Sequence, residues 1–228
     1  MALSADTSSL SPTGILVTDF DGTLTRYDFY DLVCRAFPQI LSAGHWRHYE
    51  AGEITHFEAL RRIFAEIRSG EGALLDIIAR MELVPRLAEE LAGLSRCGWS
   101  VVVASAGCDW YIRKLLAAAG VEIAVHASPG EFVDGQGLLM RLPERSPFCS
   151  PELGINKLAV VRDALHRTSR VAFAGDGRPD LAPALLVPPE RRFAKSWLAR
   201  ELHELGEGFR PFERWSEVAQ ALREDELS

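Results

Sequence analysis

Apolar positions along this chain follow two periods. Residues 15–18 form a short apolar run that ends in aspartates, the pattern of a buried strand. From about residue 28 to residue 83 the period becomes helical. In "DFYDLVCRAF", Phe29, Leu32, Val33 and Phe37 share one face; in "THFEALRRIFAEIR", Phe57, Leu60, Ile63, Phe64 and Ile67 do the same. "GALLDIIARM" reads as another short helix, and Gly44, Gly52, Gly70 and Gly72 punctuate the stretch. No strand pattern interrupts it, so a small helical bundle is expected.

After residue 83, strand and helix patterns alternate. "PRLAEELAGLSRCG" is a helix with Pro85 near its start and Gly98 past its end. "WSVVVASAG" is a strand running into a turn, "DWYIRKLLAAAG" a helix and "VEIAVHA" a strand. "EFVDGQGLLMRL" has the form of a hairpin around Asp134-Gly135. "NKLAVVRDALHR" is a helix and "RVAFAGDG" a strand entering a glycine turn. "ALLVPP" and "RRFAKS" read as weaker strands, and "WLARELHELG" and "WSEVAQALRE" as late helices. Such alternation implies right-handed crossovers and a parallel sheet covered on both faces. The expected fold class is α/β: a Rossmann-like parallel core over residues 14–27 and 84–228, interrupted by a helical insert over residues 28–83. Residues 1–13 read as a flexible leader without the basic start or apolar stretch of a signal peptide.

Composition narrows the partners. The 228 residues are 47% hydrophobic, enough for a buried core. A formal net charge of -7 repels nucleic acid and anionic membranes, so neither is expected as a partner. No stretch approaches the ~20 apolar residues of a membrane span. Cys34, Cys97, Cys108 and Cys149 show no metal-ligand spacing. A cytoplasmic protein with free thiols is therefore expected. Nothing in the pattern bears on oligomeric state.

In an open parallel sheet, ligands gather beyond the carboxyl ends of the strands. Three such ends carry polar residues here: Asp19-Phe20-Asp21, Ser105-Ala106-Gly107, and the run from Gly175 through Asp176 to Asp180. Lys157 opens a helix between the last two. Asp19 and Asp21 project to one side of an extended backbone, and two close carboxylates need a positive neighbour. A Mg²⁺ ion, which prefers hard oxygen ligands, suits them, with Asp176 as a third acid. Ser105 offers a hydroxyl, the Ala106 and Gly107 amides offer donors for phosphate oxygens, and Lys157 is a point cation. Together these are the parts of a phosphoryl-transfer site. Each also has a plainer reading: turn capping for the two acids, a turn position for Ser105, a solvated helix charge for Lys157, and first-turn support for Asp180. His45, His48 and His56 read as surface residues rather than metal ligands, and Trp110 as helix packing.

"DFDGTLT", "VVVASAG", "INK" and "AGDGRPD" resemble, in order and spacing, the four motifs of the haloacid dehalogenase-like superfamily. The resemblance spans residues 19–180. It implies an Asp19 nucleophile, Asp21 as general acid/base, Ser105 as phosphate-binding hydroxyl and Lys157 steadying nucleophile and phosphoryl group. It implies Asp19, the Asp21 carbonyl and Asp176 around Mg²⁺, with Asp180 supporting. The function implied is hydrolysis of a small phosphorylated metabolite through an aspartyl-phosphate. A phosphotransferase on the same fold is the alternative, and a non-catalytic module would have lost some of these residues. A dehalogenase is disfavoured by Asp21.

The helical insert resembles the cap of phosphoserine phosphatase-like members. In that group the acid nine residues after the nucleophile often reads the substrate; Asp28 holds that position and equally suits a helix N-cap. Arg61, Arg62 and Asp109 are further candidates for substrate contact. "ASAGCDWYI", "VHAS", "FAKSWLARELHE" and "FRPFERWSEV" resemble the methionine-salvage phosphatases that act on 2-hydroxy-3-keto-5-methylthiopentenyl-1-phosphate. The chain departs from them in "SPFCSPELGINK", which has only Cys149 where a cysteine-rich stretch is expected.

Overall fold

The structure is a computed structural model and describes residues 13–225. The expected leader thus lies, apart from Thr13, outside the described residues. β1 (Gly14–Thr18) is followed by four helices: α1 (Phe29–Ala36), α2 (His45–Glu50), α3 (His56–Ala65) and α4 (Glu71–Ala79). Next come α5 (Leu87–Arg96), β2 (Trp99–Cys108), α6 (Asp109–Ala118) and β3 (Ala124–Ser128). Two small antiparallel pairs follow, β4 (Gly130–Val133) with β5 (Gly137–Met140), and β6 (Cys149–Ser150) with β7 (Gly154–Ile155). The chain ends in α7 (Lys157–Arg167), β8 (Val171–Gly175), α8 (Leu181–Ala184), β9 (Arg192–Ala194), α9 (Ser196–Glu204), β10 (Arg210–Pro211) and α10 (Trp215–Glu224).

Six strands form one parallel sheet in the order β10-β9-β8-β1-β2-β3, as the α/β pattern implied. β1 lies in its middle and is buried at every residue, which is why its sequence is apolar throughout. Alternation along β1 splits the core. Ile15 and Val17 face Val160, Phe173, Leu198 and Leu202, from β8, α7 and α9. Leu16 belongs with Leu94, Trp215, Val218 and Leu222, from α5 and α10 on the other face.

The helices after β1 cover the carboxyl ends of the strands. Phe29 of α1 stacks on Tyr111 of α6 at 4.2 Å and meets Phe64 of α3 edge-on at 5.2 Å. Two paired segments carry the chain out and back: Thr25 bridges Leu83, and the Val84 amide donates to Leu24 O at 2.9 Å.

"ALLVPP" is not a strand. It closes α8 and turns through Val187, and Pro188 and Pro189 have no N–H to give a ladder. "RRFAKS" does supply a strand, β9. The sequence pattern did not show α2, because none of its residues is fully buried and it has no apolar stripe. It also missed β10, a two-residue edge strand containing a proline. The four cysteines are free. No helix among the described residues is long and apolar enough to cross a membrane.

Candidate active site

β8, β1 and β2 are neighbours, so the polar residues at their ends meet. The Asp19 amide donates to Ala174 O at 2.9 Å, extending the sheet one residue beyond β1. Thr18 Oγ1 accepts from Trp215 Nε1 at 3.0 Å and donates to Asp19 O at 3.0 Å. The chain then turns sharply. Gly22 sits at φ 70°, and a Cβ there would lie 2.6 Å from Asp176 Oδ2, so only glycine lets the turn pass this close. Thr23 Oγ1 donates to Asp176 Oδ1 at 3.0 Å.

Lys157 is buried at the first turn of α7, whose N-cap Asn156 accepts from the Ala159 amide at 3.0 Å. Its Nζ donates to Asp19 Oδ1 at 2.7 Å and to Asp180 Oδ1 at 2.6 Å. Burial alone would pull this ammonium down, but Asp180 and Asp19 outweigh it and hold Lys157 above its ordinary value. Asp180 Oδ2 accepts the Asp176 and Gly177 amides at 3.1 and 3.0 Å, so both its oxygens are engaged. None of the hydrogen bonds among the described residues uses Asp19 Oδ2 or Asp176 Oδ2.

Asp21 is held by three groups. Tyr111 Oη donates to Oδ2 at 2.6 Å, Ser105 Oγ approaches the same oxygen at 3.4 Å, and the Phe29 amide donates to Oδ1 at 3.2 Å. Burial raises Asp21 to about 6, against the lowering effect of the Tyr111 bond. A Cβ on Gly107 would fall on Tyr111 Oη, so glycine here is what admits the tyrosine to Asp21. Burial likewise raises Asp176 to about 7, helped by Asp180, and pushes Asp19 well above the usual carboxylate range despite Lys157.

These groups line a cavity of about 150 Å³. Asp19, Asp21, Asp28, Ser105, Ala106, Gly107, Lys157, Asp176 and Asp180 all line it. The Gly107 amide, expected to face phosphate, donates to Ser105 Oγ at 3.0 Å in this structure. Asp28 is at once a cavity residue and the N-cap of α1, accepting from Tyr30 N at 2.6 Å. Burial and nearby Asp21 raise it to about 8.

Three expected contacts are not brought to the cavity. Arg61 grips Glu58 through Nε and Nη2, both at 2.7 Å, and Arg62 Nε reaches the same carboxylate at 2.6 Å. Spacings of three and four residues on one helix favour these pairs. Asp109 accepts from the Gly130 amide at 3.1 Å and from Arg113 at 3.3 Å, tying α6 to β4. Residues the sequence reading passed over take their place: Tyr30, Trp46, His56, Leu60 and Tyr111 line the cavity. His56 is half-buried rather than exposed. It packs edge-on against Trp46 at 5.7 Å, and burial lowers it to about 4. A helix-period apolar stripe marks Leu60, but no local signal distinguishes His56 or Tyr111 from packing residues.

Residues 16–184 match the family model of haloacid dehalogenase-like hydrolases. The chain belongs to that family. No curated protein matches it. Among solved structures, this hydrolase is similar to a HAD family hydrolase from Salmonella enterica serovar Typhi, with TM-score 0.69 and 21% identity over 95% of this chain and 73% of that one. It is also similar to a substrate-bound phosphoserine phosphatase, with TM-score 0.63 and 15% identity over 91% and 97% of the two chains. A phosphoserine phosphatase from T. onnurineus gives 0.61 and 18% over 95% and 98%. At these identities the likeness is one of fold.

The hydrolase's donor set suits a hard divalent cation. Asp19, Asp176 and Asp180 offer oxygens that all lie within 4.8 Å of one another. Five aspartates and a single lysine line the cavity among the described residues; burial first, and the neighbouring aspartates after it, raise Asp19 and Asp176. Asp180 already accepts from Lys157 and two amides, whereas Asp19 and Asp176 each keep one oxygen outside the hydrogen bonds of the described residues.

Proposed function

We propose that the protein is a Mg²⁺-dependent phosphomonoesterase acting on a small phosphorylated metabolite. The observation that carries this reading is the pairing of Asp19 and Asp21 in one cavity under different restraints. Asp19 has one oxygen fixed by Lys157 and the other unengaged, whereas Asp21 is gripped by Tyr111 and the Phe29 amide. Asp19, Asp176 and the backbone carbonyl of Asp21 would hold Mg²⁺, with Asp180 positioning Lys157 and the loop after β8. Bound there, the ion offsets the acids' charge and that of a phosphoryl group.

In the first step an Asp19 carboxylate oxygen attacks phosphorus and the bond to the ester oxygen breaks. Asp21 delivers its proton to that oxygen, and the alcohol leaves. A value near 6 suits a group that must give a proton and take one back. In the second step water attacks phosphorus, Asp21 receives its proton, and the Asp19–phosphorus linkage breaks to release inorganic phosphate. Ser105 and Lys157 would hold the transferring oxygens. Residues 28–83 act as a cap on a core of residues 14–27 and 84–225, excluding water once substrate is seated.

Two substrates head the list to test: phosphoserine, and the methionine-salvage ester 2-hydroxy-3-keto-5-methylthiopentenyl-1-phosphate. In support of the latter, two segments that resemble methionine-salvage enzymes flank the site: Lys195 lies close enough to Asp176 to act on its charge, and Trp215 holds Thr18. The decisive experiment is Asp19→Asn, assayed for phosphate release with Mg²⁺ and p-nitrophenyl phosphate. A loss of about 10³-fold or more is expected. Intact-mass analysis should show a transient phosphoryl adduct on the parent enzyme and none on the variant. Turnover that survives the substitution overturns the nucleophile assignment.

A further inference from the structure

The cavity has two unlike walls. Asp19, Asp176, Lys157 and Ser105 form the floor. The rest of the lining includes Tyr30, Trp46, His56 and Leu60, from α1, α2 and α3, with Asp28 at the N-cap of α1. Tyr30 and Trp46 rings lie 4.7 Å apart, giving this wall a broad aromatic surface. Its ionisable members are a histidine held neutral by burial and an aspartate.

Positive charge is kept elsewhere. Lys157 alone among the described cations lines this cavity, and it is spent on Asp19 and Asp180. Arg61 and Arg62 are turned onto Glu58. Arg26, Arg35 and Lys195 line a separate cavity of about 170 Å³ that shares Asp28 and Asp176 with this one. Arg178 lines an adjoining cleft that shares Trp46, His56 and Pro179 with this cavity, and its guanidinium lies over the Trp197 ring at 5.4 Å. A carboxylate on a short leaving group would therefore be buried beside Asp28 and Asp21 with no unpaired lysine or arginine among the lining residues to meet it. An unpaired buried charge is among the costliest things a site can accept.

Resting on the phosphomonoesterase reading, we propose that the substrate is the phosphate ester of a carboxylate-free alcohol, whose carbon skeleton lies against Trp46 and Tyr30. Rejection of a carboxylate is then built into the wall, and phosphoserine is a poor substrate despite the likeness in fold.

Ethanolamine phosphate is phosphoserine without its carboxylate, so the two isolate this term; propyl phosphate removes the amine as well. With Mg²⁺ present, kcat/KM for the better of the two carboxylate-free esters should exceed that for phosphoserine at least tenfold. Trp46→Arg, at a half-buried position, places a cation in the wall and should narrow that ratio at least fivefold. Arg61→Ala, outside the cavity, should leave it unchanged. Phosphoserine turned over as well as or better than both simpler esters overturns the proposal, as does a ratio that Arg61→Ala alters and Trp46→Arg does not. If no ester, p-nitrophenyl phosphate included, yields phosphate, the phosphomonoesterase reading itself fails and this proposal falls with it.

Discussion

Tyr111 bears directly on how Asp21 would work. A hydrogen bond to the ionised carboxylate favours that form, so the 2.6 Å bond from Tyr111 offsets part of the upward push of burial. Tyr111→Phe removes the bond and keeps the ring that stacks on Phe29. The pH–rate limb belonging to Asp21 should move upward from about 6, and kcat should fall about tenfold while KM changes little. An unshifted limb would show that Tyr111 does not tune Asp21. The contrast between the two residues also marks what the sequence could reveal. Asp19, Asp21, Ser105, Lys157 and Asp176 stand in short motifs whose chemistry demands those residue types, and all of them reach one cavity. Tyr111 lies on a helix with Ile112 and Leu115 and reads as packing, because its second role depends on a partner 90 residues away. Arg61 and Arg62, candidates for substrate contact in the sequence, pair instead with Glu58 three and four residues away on the same helix.

At the level of elements, the turn between β1 and α1 ties the proposed cap to the proposed metal ligand Asp176. Gly22 and Gly52 both have left-handed φ, at 70° and 74°. A Cβ on Gly52 would meet nothing within 4 Å, whereas one on Gly22 would press on Asp176. Alanine at either position should cost about 1–2 kcal/mol for its backbone alone. Only Gly22→Ala should also weaken Mg²⁺ binding several-fold, measured by calorimetry; equal Mg²⁺ affinity in the two variants would deny the turn any part in the metal site. Element order was legible where burial imposes a period. The central strands are apolar because both faces are covered, and α1 and α3 carry stripes because one face packs inward. α2 was illegible for the same reason in reverse, yet it brings Trp46 to the cavity. "ALLVPP" misled because short apolar runs do not separate a strand from a buried turn.

Over the whole molecule, the site sets how stability answers to pH and metal. Asp176 and Asp28 have values of about 7 and 8 in the fold, raised from 3.8 chiefly by burial. Between these limits the native state holds protons that the unfolded chain has released, so the metal-free protein loses stability as pH rises through 7 and 8. The slope is about 1.4 kcal/mol per pH unit for each proton so held. His56 works the other way: lowered to about 4, it gives stability that grows with pH up to its ordinary value of 6.5. The acids therefore stand clear of it only above that point. A cation bound by Asp19 and Asp176 favours their ionised forms and, at a hundred times its Kd, stabilises by about 2.7 kcal/mol. Mg²⁺ competes with protons for these acids, so its affinity, and with it the stabilisation, climbs as they ionise. In chelator the Tm should fall from pH 6.5 to 8. With Mg²⁺ at a fixed concentration the fall should be shallower, so that the Mg²⁺-induced rise in Tm grows across this range. A rise of constant size from pH 6.5 to 8 would mean that the cation binds away from these acids, and would remove the metal from the site proposed.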